Sequence, residues 1–283
     1  MTPVPLARIM VEPLVRAALL EDLGRAGDLT TDAIVPAGLV TRTAMVAREA
    51  GVVAGLDLAK LAFELIDPNI ALQVEIDDGA PVTTGGVIAR VSGPARGILV
   101  AERTALNFLG HLSGIASATA SIVAAVHGTK AKITCTRKTT PGLRAVVKYA
   151  VRAGGGANHR FGLDDAILIK DNHIAIAGGI AEALRRARAA AGHLVKIEVE
   201  IDNLDQLKEA LGEGVDAVLL DNMSLDRLAK AVAMVEGRAM TEASGRVTPE
   251  SAPATAATGV DLISVGWLTH SARVLDIGLD FED

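Results

Sequence analysis

The feature of the sequence that most constrains its fold is a regular alternation of short apolar runs with amphipathic segments after residue 130. The apolar runs are AKITC, DAILIKDN, VKIEVEI, AVLLDN, RAMTEA and DLISVG. The segments LDQLKEALGEG and SLDRLAKAVAMVEG have helical periodicity and end in glycine, as helices do. Such alternation is typical of a parallel sheet. Glu200, Asp221 and Glu242 recur every 21 residues near the ends of their runs. This spacing predicts a βα repeat in which each strand carries an acid at about the same height in the sheet.

The first part of the chain has a different pattern. Residues 40–95 alternate or run in β-branched residues punctuated by Gly and Pro, and the preceding PLVRAALLEDLG predicts a helix ending at Gly24. A long helix is predicted from Ile98 to about Val126. A complete βα barrel typically needs about 250 residues, more than remain after His111. We therefore expect a compact or incomplete barrel of six to eight units, with the β-rich part as a separate domain.

The predicted long helix carries one polar stripe. Arg103, Asn107 and His111 follow at i, i+4 and i+8, while Gly110 and Gly114 allow a neighbouring segment to approach closely. A lone arginine on an apolar helix is a poor core residue unless an anion meets it. A solvated polar stripe is the alternative interpretation.

Charge is distributed unevenly along the chain. The net charge is -6, yet residues 130–170 hold nine Lys or Arg and only two acids. Aromatic residues make up 2% of the chain, too few for base stacking, so nucleic-acid binding fits badly. A cleft for a small polyanion and a solvated basic face both remain open.

A single cysteine, Cys135, excludes an internal disulfide and a Cys-rich metal site. The N-terminus lacks the pattern of a signal peptide, and the Ala/Gly/Ser-rich stretch after Arg103 is interpreted as a core helix and not a membrane span. We expect a cytoplasmic protein that binds neither membrane nor nucleic acid.

Barrel enzymes place their chemistry where the strands end. That rule selects Thr136, Arg137, Lys138, Lys170, Glu200, Asp221, the turn at 243–245 and Gly266. Together with His159 and Arg160, these residues offer cations for carboxylates and phosphates, acids for Mg²⁺ or ribose hydroxyls, and backbone N–H groups for phosphate. The set describes a site for an anionic ring compound and a phosphorylated sugar.

Long motifs carry a family resemblance. TRKTTPGLRAVVKYAVRAGGGANHRFGLDDAILIKDNH, EVEIDNLDQL, LLDNMS, EASGRVT and TGVDLISVGWLTHSA closely resemble the quinolinate phosphoribosyltransferases, and LLEDLGRAGDLTTDAIVP extends the resemblance towards the N-terminus. The resemblance implies conversion of quinolinate and phosphoribosyl pyrophosphate to nicotinate mononucleotide, pyrophosphate and CO₂ with Mg²⁺, in NAD biosynthesis. It also implies a homodimer whose site is completed by Arg103 of the other chain.

The implied fold is an incomplete, seven-stranded α/β barrel with an N-terminal α/β sandwich domain. We place the sandwich at residues 1–112, with a tail at 274–283 that can pack on it, and the barrel at 113–273.

The resemblance also implies the roles of individual residues. Lys138, Lys170, Glu200 and Asp221 would be catalytic, with Glu200 and Asp221 also serving the ribose and holding the metal directly or through water. The substrate-binding residues would be Arg103, Thr136, Arg137, Lys138, His159, Arg160, Lys170, Glu200, Asp221, Ser244, Gly245, Arg246, Gly266 and His270.

Two positions depart from the family pattern. Cys135 stands where many relatives have Asp, and we interpret it as a packed strand residue. Arg246 replaces the second glycine of the usual Ser-Gly-Gly turn, where it either contacts phosphate or points to solvent.

Three alternatives remain. Lys170 at a strand end could serve a Schiff-base aldolase or decarboxylase. A related pyrophosphorylase could use another ring acid. A non-catalytic anion-binding protein could keep the same cations.

Overall fold

The computed structural model of the protein describes residues 3–282, and they form two compact units. The first unit contains the described residues up to Ala120, together with Thr139–Gly155 and the chain from Leu268 onwards. The second unit contains Ser121–Lys138 and Gly156–Trp267. The domain boundaries expected from the sequence, at residues 112 and 273, stay a prediction.

Helices are found in both units. They are α1 (Arg8–Leu23), α2 (Leu29–Ile34), α3 (Leu56–Ile66), α4 (Ala95–Ala125), α5 (Arg144–Ala153), α6 (Asp171–Ala177), α7 (Ile180–Ala190), α8 (Leu204–Glu213), α9 (Leu225–Val235) and α10 (Ala252–Ala257), followed by a 3-10 turn at Trp267–Thr269.

The strands also occur in both units. They are β1 (Val40–Ala47), β2 (Gly51–Val52), β3 (Ala71–Val74), β4 (Pro81–Val82), β5 (Val87–Pro94), β6 (Lys132–Thr134), β7 (Ile167–Ile169), β8 (Ile197–Ile201), β9 (Ala217–Asp221), β10 (Met240–Ser244), β11 (Leu262–Ser264) and β12 (Ile277–Phe281).

The first unit is built on an antiparallel sheet of order β12-β1-β5-β3, with a small β2-β4 pair beside it. Strand β12 from the C-terminus pairs with β1 from Thr43↔Phe281 to Ala47↔Ile277. Large side chains of this unit, such as Met45, Phe63 and Ile88, are fully buried. The chain end is therefore an integral part of the first sheet.

Helix α4 lies under the C-terminal segment of the first unit. The N–H of Leu275 donates to the carbonyl of Gly110 at 3.0 Å, and a methyl group at Gly114 would collide with the carbonyl of Arg273. The close approach predicted from the two glycines is confirmed. By length and composition alone α4 could cross a membrane, because an 18-residue stretch of it has a mean hydropathy of 1.4. Half of that stretch, however, is buried inside the protein. Its buried side chains, Leu109 and Leu112 among them, belong to the core.

Helix α5 is anchored to the start of α3 within the first unit. The hydroxyl of Tyr149 donates to Oδ2 of Asp78 at 2.6 Å, and the two carboxylate oxygens also accept the N–H groups of Gly55 and Leu56. The Asp78 carboxylate thus satisfies donors at the beginning of a helix, where no intrahelical acceptor exists. Burial and this hydrogen bond raise the pKa of Tyr149.

The second unit is built on a parallel sheet of order β6-β11-β10-β9-β8-β7. Its helices cover the sheet from the outside with apolar faces that include Leu184, Leu207 and Leu228. From β7 to β11 each strand connects through one or two helices to its neighbour in the sheet, as the alternating sequence pattern predicts, whereas β6 and β7 lie at opposite edges.

The predicted α/β class is confirmed, with a parallel sheet in one unit and an antiparallel sheet in the other. All six apolar runs after residue 130 form strands, and the helices predicted to end at Gly24 and to span Ile98 to about Val126 are present as α1 and α4. Within residues 3–282 the parallel sheet has six strands. The seven-stranded, incomplete-barrel form stays a prediction.

Candidate active site

The register of the parallel sheet places acidic side chains from several strands on one face. Glu200 pairs with Leu219 and Leu219 pairs with Glu242, so the two glutamates share one level. Asp221 pairs with Ser244 one pleat further towards the carboxyl ends of the strands. Because residues two apart in a strand point to the same side, all of these residues face the same way. Glu200 and Glu242 therefore lie at the same height in the sheet, as expected, while Asp221 lies two residues closer to the carboxyl ends of the strands.

Lys170 follows β7 directly and meets Glu200 on β8. Its Nζ lies 3.7 Å from Oε2 of Glu200. The lysine side chain is 52% exposed, whereas the glutamate side chain is 16% exposed. Burial raises the pKa of Glu200, the Lys170 charge opposes this shift, and the negative charge of Asp221 adds to it. The arrangement presents a partly buried carboxylate and an accessible ammonium to a common ligand.

Arg137 and Arg160 form a cationic pair in the second unit. Both Nε atoms are buried and have no hydrogen-bond acceptor within residues 3–282. A terminal nitrogen of Arg160 donates to the carbonyl of Ala166 at 3.1 Å. Burial and the positive charge of Arg137 lower the pKa of Arg160. Arg137 and Arg160 are half-buried, and a buried, unused Nε donor in each is costly without an anion, so the pair is the strongest indication of an anion site.

His159 directly precedes Arg160 along the chain, and its side chain is largely buried. Its Nδ1 accepts the N–H of Arg160 at 2.7 Å. Its Nε2 lies 3.0 Å from Oε2 of Glu198 and 3.6 Å from Oε1 of Glu242. The imidazole is therefore held between a backbone donor and two carboxylates. Glu198 was not selected from the sequence, although it lies two residues before Glu200 and must share its face.

The loops after β9, β10 and β11 lie beside one another. The N–H of Asn222 donates to the carbonyl of Ser244 at 2.9 Å. A Cβ at Gly245 would collide with the Asn222 side chain, and its φ of +124° is one that other residues rarely adopt. Nε1 of Trp267 donates to the carbonyl of Val247 at 2.9 Å. These contacts hold the Ser244–Gly245 turn and the Gly266 turn in fixed positions.

Arg246 continues the turn in a left-handed conformation, with φ of +38°. Its side chain is exposed. Such a conformation is unfavourable for a residue with a Cβ. The glycine expected there from the family pattern would adopt it without cost.

Thr136 and Lys138 lie beyond the end of β6. The N–H of Lys138 donates to Oγ1 of Thr136 at 3.0 Å, and Lys138 is exposed while Thr136 is half-buried. Cys135 is fully buried, with its Sγ 3.4 Å from Oδ1 of Asn158. The interpretation of Cys135 as a packed residue is confirmed, although it lies just beyond the end of β6 and not within the strand.

Two of the selected residues belong to the first unit. Arg103 on α4 is 64% exposed, and its nearest acid is Glu102 at 3.9 Å. His270 is exposed, with its Nδ1 2.6 Å from the hydroxyl of Ser271. The remaining selected residues belong to the second unit, and within it the structure brings Lys170 to Glu200 and places Arg137, Arg160 and His159 among buried polar groups.

Comparison with known families gives two adjoining matches. Residues 28–113 match the family described as the N-terminal domain of quinolinate phosphoribosyl transferase, and residues 115–280 match its C-terminal domain. Together these matches cover most of the chain.

Individual relatives agree along their whole length. The chain is 51% identical over 271 residues to the nicotinate-nucleotide pyrophosphorylase [carboxylating] of Mycobacterium leprae, covering 94% of this chain and 95% of the relative. It is 46% identical to a probable enzyme of the same name from Bacillus subtilis, covering 96% and 93%. The crystal structure of NadC from Streptococcus pyogenes superimposes with a TM-score of 0.95 at 41% identity, covering 99% of this chain and 100% of that one.

Proposed function

The chain belongs to the quinolinate phosphoribosyltransferase family, and on this basis we propose that it is the enzyme that family is named for. It transfers the phosphoribosyl group of phosphoribosyl pyrophosphate to quinolinate with loss of CO₂, giving nicotinate mononucleotide and pyrophosphate for NAD biosynthesis. The observation that carries this proposal is the pair of buried Nε donors of Arg137 and Arg160. Quinolinate brings two adjacent carboxylates, and planar guanidinium groups bind carboxylates in a bidentate manner.

We assign the remaining roles in the same site. Arg137, Arg160, Lys138 and Lys170 bind the quinolinate carboxylates, with His159 and Thr136 beside them. The backbone of Ser244, Gly245 and Gly266, with Arg246 and His270, binds phosphate groups. Turns with exposed N–H groups suit this task.

The reaction needs orientation and an electrostatic field more than covalent help. The ring nitrogen attacks the anomeric carbon as pyrophosphate leaves, and positive charge develops on the ribose. Glu200 and Asp221, on one face of the sheet, stabilise that charge. The ring then becomes a pyridinium, whose positive nitrogen stabilises the electron pair left on the neighbouring carbon when its carboxylate leaves as CO₂, and a proton from water then takes the place of the carboxylate. Lys170 holds quinolinate while both steps proceed.

Mg²⁺ fits the acid pair on chemical grounds. Glu200 and Asp221 supply the carboxylate oxygens that Mg²⁺ prefers. Their mutual repulsion, which contributes to the raised pKa of Glu200, indicates a place where a cation would be stabilised. Bound there directly or through water, Mg²⁺ would neutralise the charge of the leaving pyrophosphate.

We extend the proposal to a homodimer in which Arg103 completes the site of the other chain. The support is the position of Arg103, exposed on a helix whose other residues lie largely in the core. A cation in that place is available to a second chain.

An incomplete barrel of seven strands is the form of the sheet that we propose. Ala157 forms an isolated parallel bridge with Thr134 of β6, on the edge of β6 that is not occupied by β11. If this segment is counted as a short strand, it lies between β6 and β7 in the chain and adds a seventh strand beside β6. The barrel would then stay open between this strand and β7. The cytoplasmic location expected from the sequence is also part of the proposal.

The test is product formation by the purified protein. With quinolinate, phosphoribosyl pyrophosphate and Mg²⁺ we expect nicotinate mononucleotide and CO₂ in equal amounts, measured by chromatography and by release of labelled carboxylate. Nicotinate is the control substrate, because it lacks the carboxylate that leaves. Absence of product from quinolinate, with a correctly folded protein, would overturn the assignment.

A further inference from the structure

A buried cluster inside the second unit is not explained by direct substrate binding. Glu198 lies on β8, Glu242 on β10 and His159 in the loop before β7, and the side chains of His159, Glu198 and Glu242 are 9%, 13% and 2% exposed. One nitrogen and two carboxylate oxygens lie within 4.8 Å of one another. Burial of three polar groups in one place is costly unless they serve each other or a ligand.

The hydrogen bonds of His159 define its tautomer. Nδ1 accepts the backbone N–H of Arg160 at 2.7 Å, so this nitrogen uses its lone pair and carries no proton. The ring proton of the neutral imidazole is therefore on Nε2, which donates to Oε2 of Glu198 at 3.0 Å. Both ring nitrogens are thus engaged by the protein itself.

This tautomer argues against a metal ion in the cluster. A metal would need the lone pair of Nε2, while Nδ1 would have to hold the proton. The backbone N–H of Arg160 points at Nδ1 and leaves no room for a proton there. The geometry fits a hydrogen-bonded cluster better than a metal centre.

Glu242 adds a second, independent observation. Its Oε1 is buried, has no hydrogen-bond partner within residues 3–282, and lies 3.6 Å from Nε2 of His159. Burial and the charge of Glu198 raise the pKa of Glu242 to about 7. The Glu242 carboxyl group limits the orientations open to the imidazole, and when it is ionised it adds a negative charge beside the N–H of Nε2.

Arg160 connects the cluster to the substrate. The nitrogen that donates to His159 is the backbone nitrogen of Arg160, and the guanidinium of Arg160 makes its own bond to the carbonyl of Ala166. Two contacts therefore fix the arginine at its backbone and at its tip, while its buried Nε stays available for an anion.

We propose that Glu198 and Glu242 are positioning residues that hold His159 as the Nε2–H tautomer, and that His159 thereby fixes Arg160 for the carboxylate of quinolinate. This inference rests on the proposed function for the identity of the anion. It changes the role of His159 from a direct ligand to a support of the arginine.

The first test reads the tautomer without reference to activity. Nitrogen-15 NMR of the six histidines, with the His159 signals assigned through His159→Gln, reports which ring nitrogen is protonated. We expect the Nε2–H form in the wild type and in Glu198→Gln, whose amide oxygen still accepts. In Glu198→Leu the ring loses its acceptor at Nε2 and can rotate away from the Arg160 N–H, so we expect exchange between the tautomers. A wild-type Nδ1–H form, or a Nε2 signal that shifts with one equivalent of Zn²⁺, would overturn the proposal.

The second test separates positioning from chemistry. Glu198→Leu should raise the KM for quinolinate about tenfold, the loss expected for one hydrogen bond to a charged group. The KM for phosphoribosyl pyrophosphate and kcat should remain nearly unchanged, and Glu198→Gln should restore most of the affinity. Asp226→Asn, an exposed change on α9, is the matched control. An equal effect on both substrates, or no rescue by Gln, would contradict positioning.

The two tests also distinguish the inference from the proposed function. If the wild type makes no product from quinolinate, the proposed function fails, whereas the ring-nitrogen signals still decide whether Glu198 holds His159.

Discussion

The ammonium of Lys170 lies 3.7 Å from the carboxylate of Glu200, at matching levels of the neighbouring strands β7 and β8. Under the proposed function, the pairing would place a cation for the ring acid next to an anion for the ribose. Such opposite charges at adjacent strand ends suit a reaction in which the ring nitrogen must meet the anomeric carbon.

Glu200→Gln should lower kcat about 100-fold, because a neutral amide cannot stabilise the positive charge that develops on the ribose. The change keeps the size of the side chain, so the melting temperature should remain close to that of the wild type. Steady-state kinetics together with thermal unfolding distinguish the two effects. Retention of more than half of the wild-type kcat would remove Glu200 from the mechanism.

The pH dependence of activity provides a second test of the role of Glu200. Burial raises the pKa of this carboxyl, and its ionised form is the active one. Activity should therefore rise with pH through a value above that of an ordinary glutamate. This rise of activity with pH should be absent from the pH profile of Glu200→Gln, measured by the same steady-state assay.

Arg137→Ala should lower kcat/KM for quinolinate about 100-fold, or about 3 kcal/mol, because one substrate carboxylate is left unpaired in a dry pocket. Arg137→Lys restores the charge without the planar fork and should recover only part of the loss. Arg185→Ala, on the exposed face of α7, serves as the control for removing an arginine. Activity of Arg137→Ala within about twofold of wild type would contradict its role.

The sequence could predict those features of the candidate site that depend on local patterns, but not those that depend on contacts between distant segments of the chain. The positions of Lys170, Glu200 and Asp221 at strand ends could be predicted because parallel strands end at a common edge and the chain repeats regularly, which are local signals. The pairing of Lys170 with Glu200 follows from strand order. Glu198 was missed although period-two alternation placed it beside Glu200, because its importance depends on His159 reaching it from another segment.

Other features depend on long-range packing that no local pattern contains. The segment Thr139–Gly155 belongs to the first unit although its flanking residues belong to the second, and this follows in part from the contact between Tyr149 and Asp78. The left-handed conformation of Arg246 is equally invisible in the sequence, because arginine has no preference for it. Cys135, by contrast, could be assigned to the core from its strand context alone.

Mixing two inactive variants should restore activity if the site is shared between chains. Arg103→Ala and Lys170→Ala damage different parts of the proposed site, so a hybrid dimer contains one intact site and one that is doubly impaired. After dissociation and reassociation of equal amounts, we expect up to about a quarter of the wild-type activity, given random assortment. Native mass spectrometry verifies that hybrids form. Hybrids without activity would place Arg103 outside the site of the partner.

Arg246→Gly tests whether the exposed arginine has a use that offsets its unfavourable backbone. Glycine adopts the left-handed conformation without strain, so the variant should gain up to about 1 kcal/mol of stability. If the guanidinium contacts phosphate, the KM for phosphoribosyl pyrophosphate should rise at the same time. Arg246→Gln removes the charge and keeps the strain, so it should show the same KM without the gain in stability. An unchanged KM in both variants would mean that Arg246 points to solvent.

Glu242→Gln should make the protein less sensitive to pH. Burial and Glu198 raise the pKa of Glu242 to about 7 in the folded protein, whereas the unfolded chain has the ordinary glutamate value of about 4.3. Between these pH values the folded state keeps a proton that the unfolded state has released. The free energy of unfolding of the wild type is therefore unaffected by this group below about pH 4, and it declines as the pH rises to about 7. A neutral glutamine has no such loss, and the free energy of unfolding of Glu242→Gln relative to wild type should increase by on the order of 2 kcal/mol from pH 5 to pH 8. Urea unfolding at both pH values measures this change, with the exposed Glu21→Gln on α1 as the control. A relative stability that does not change with pH would show that Glu242 is ionised in the folded protein at both pH values, and that the field beside His159 comes from two full charges.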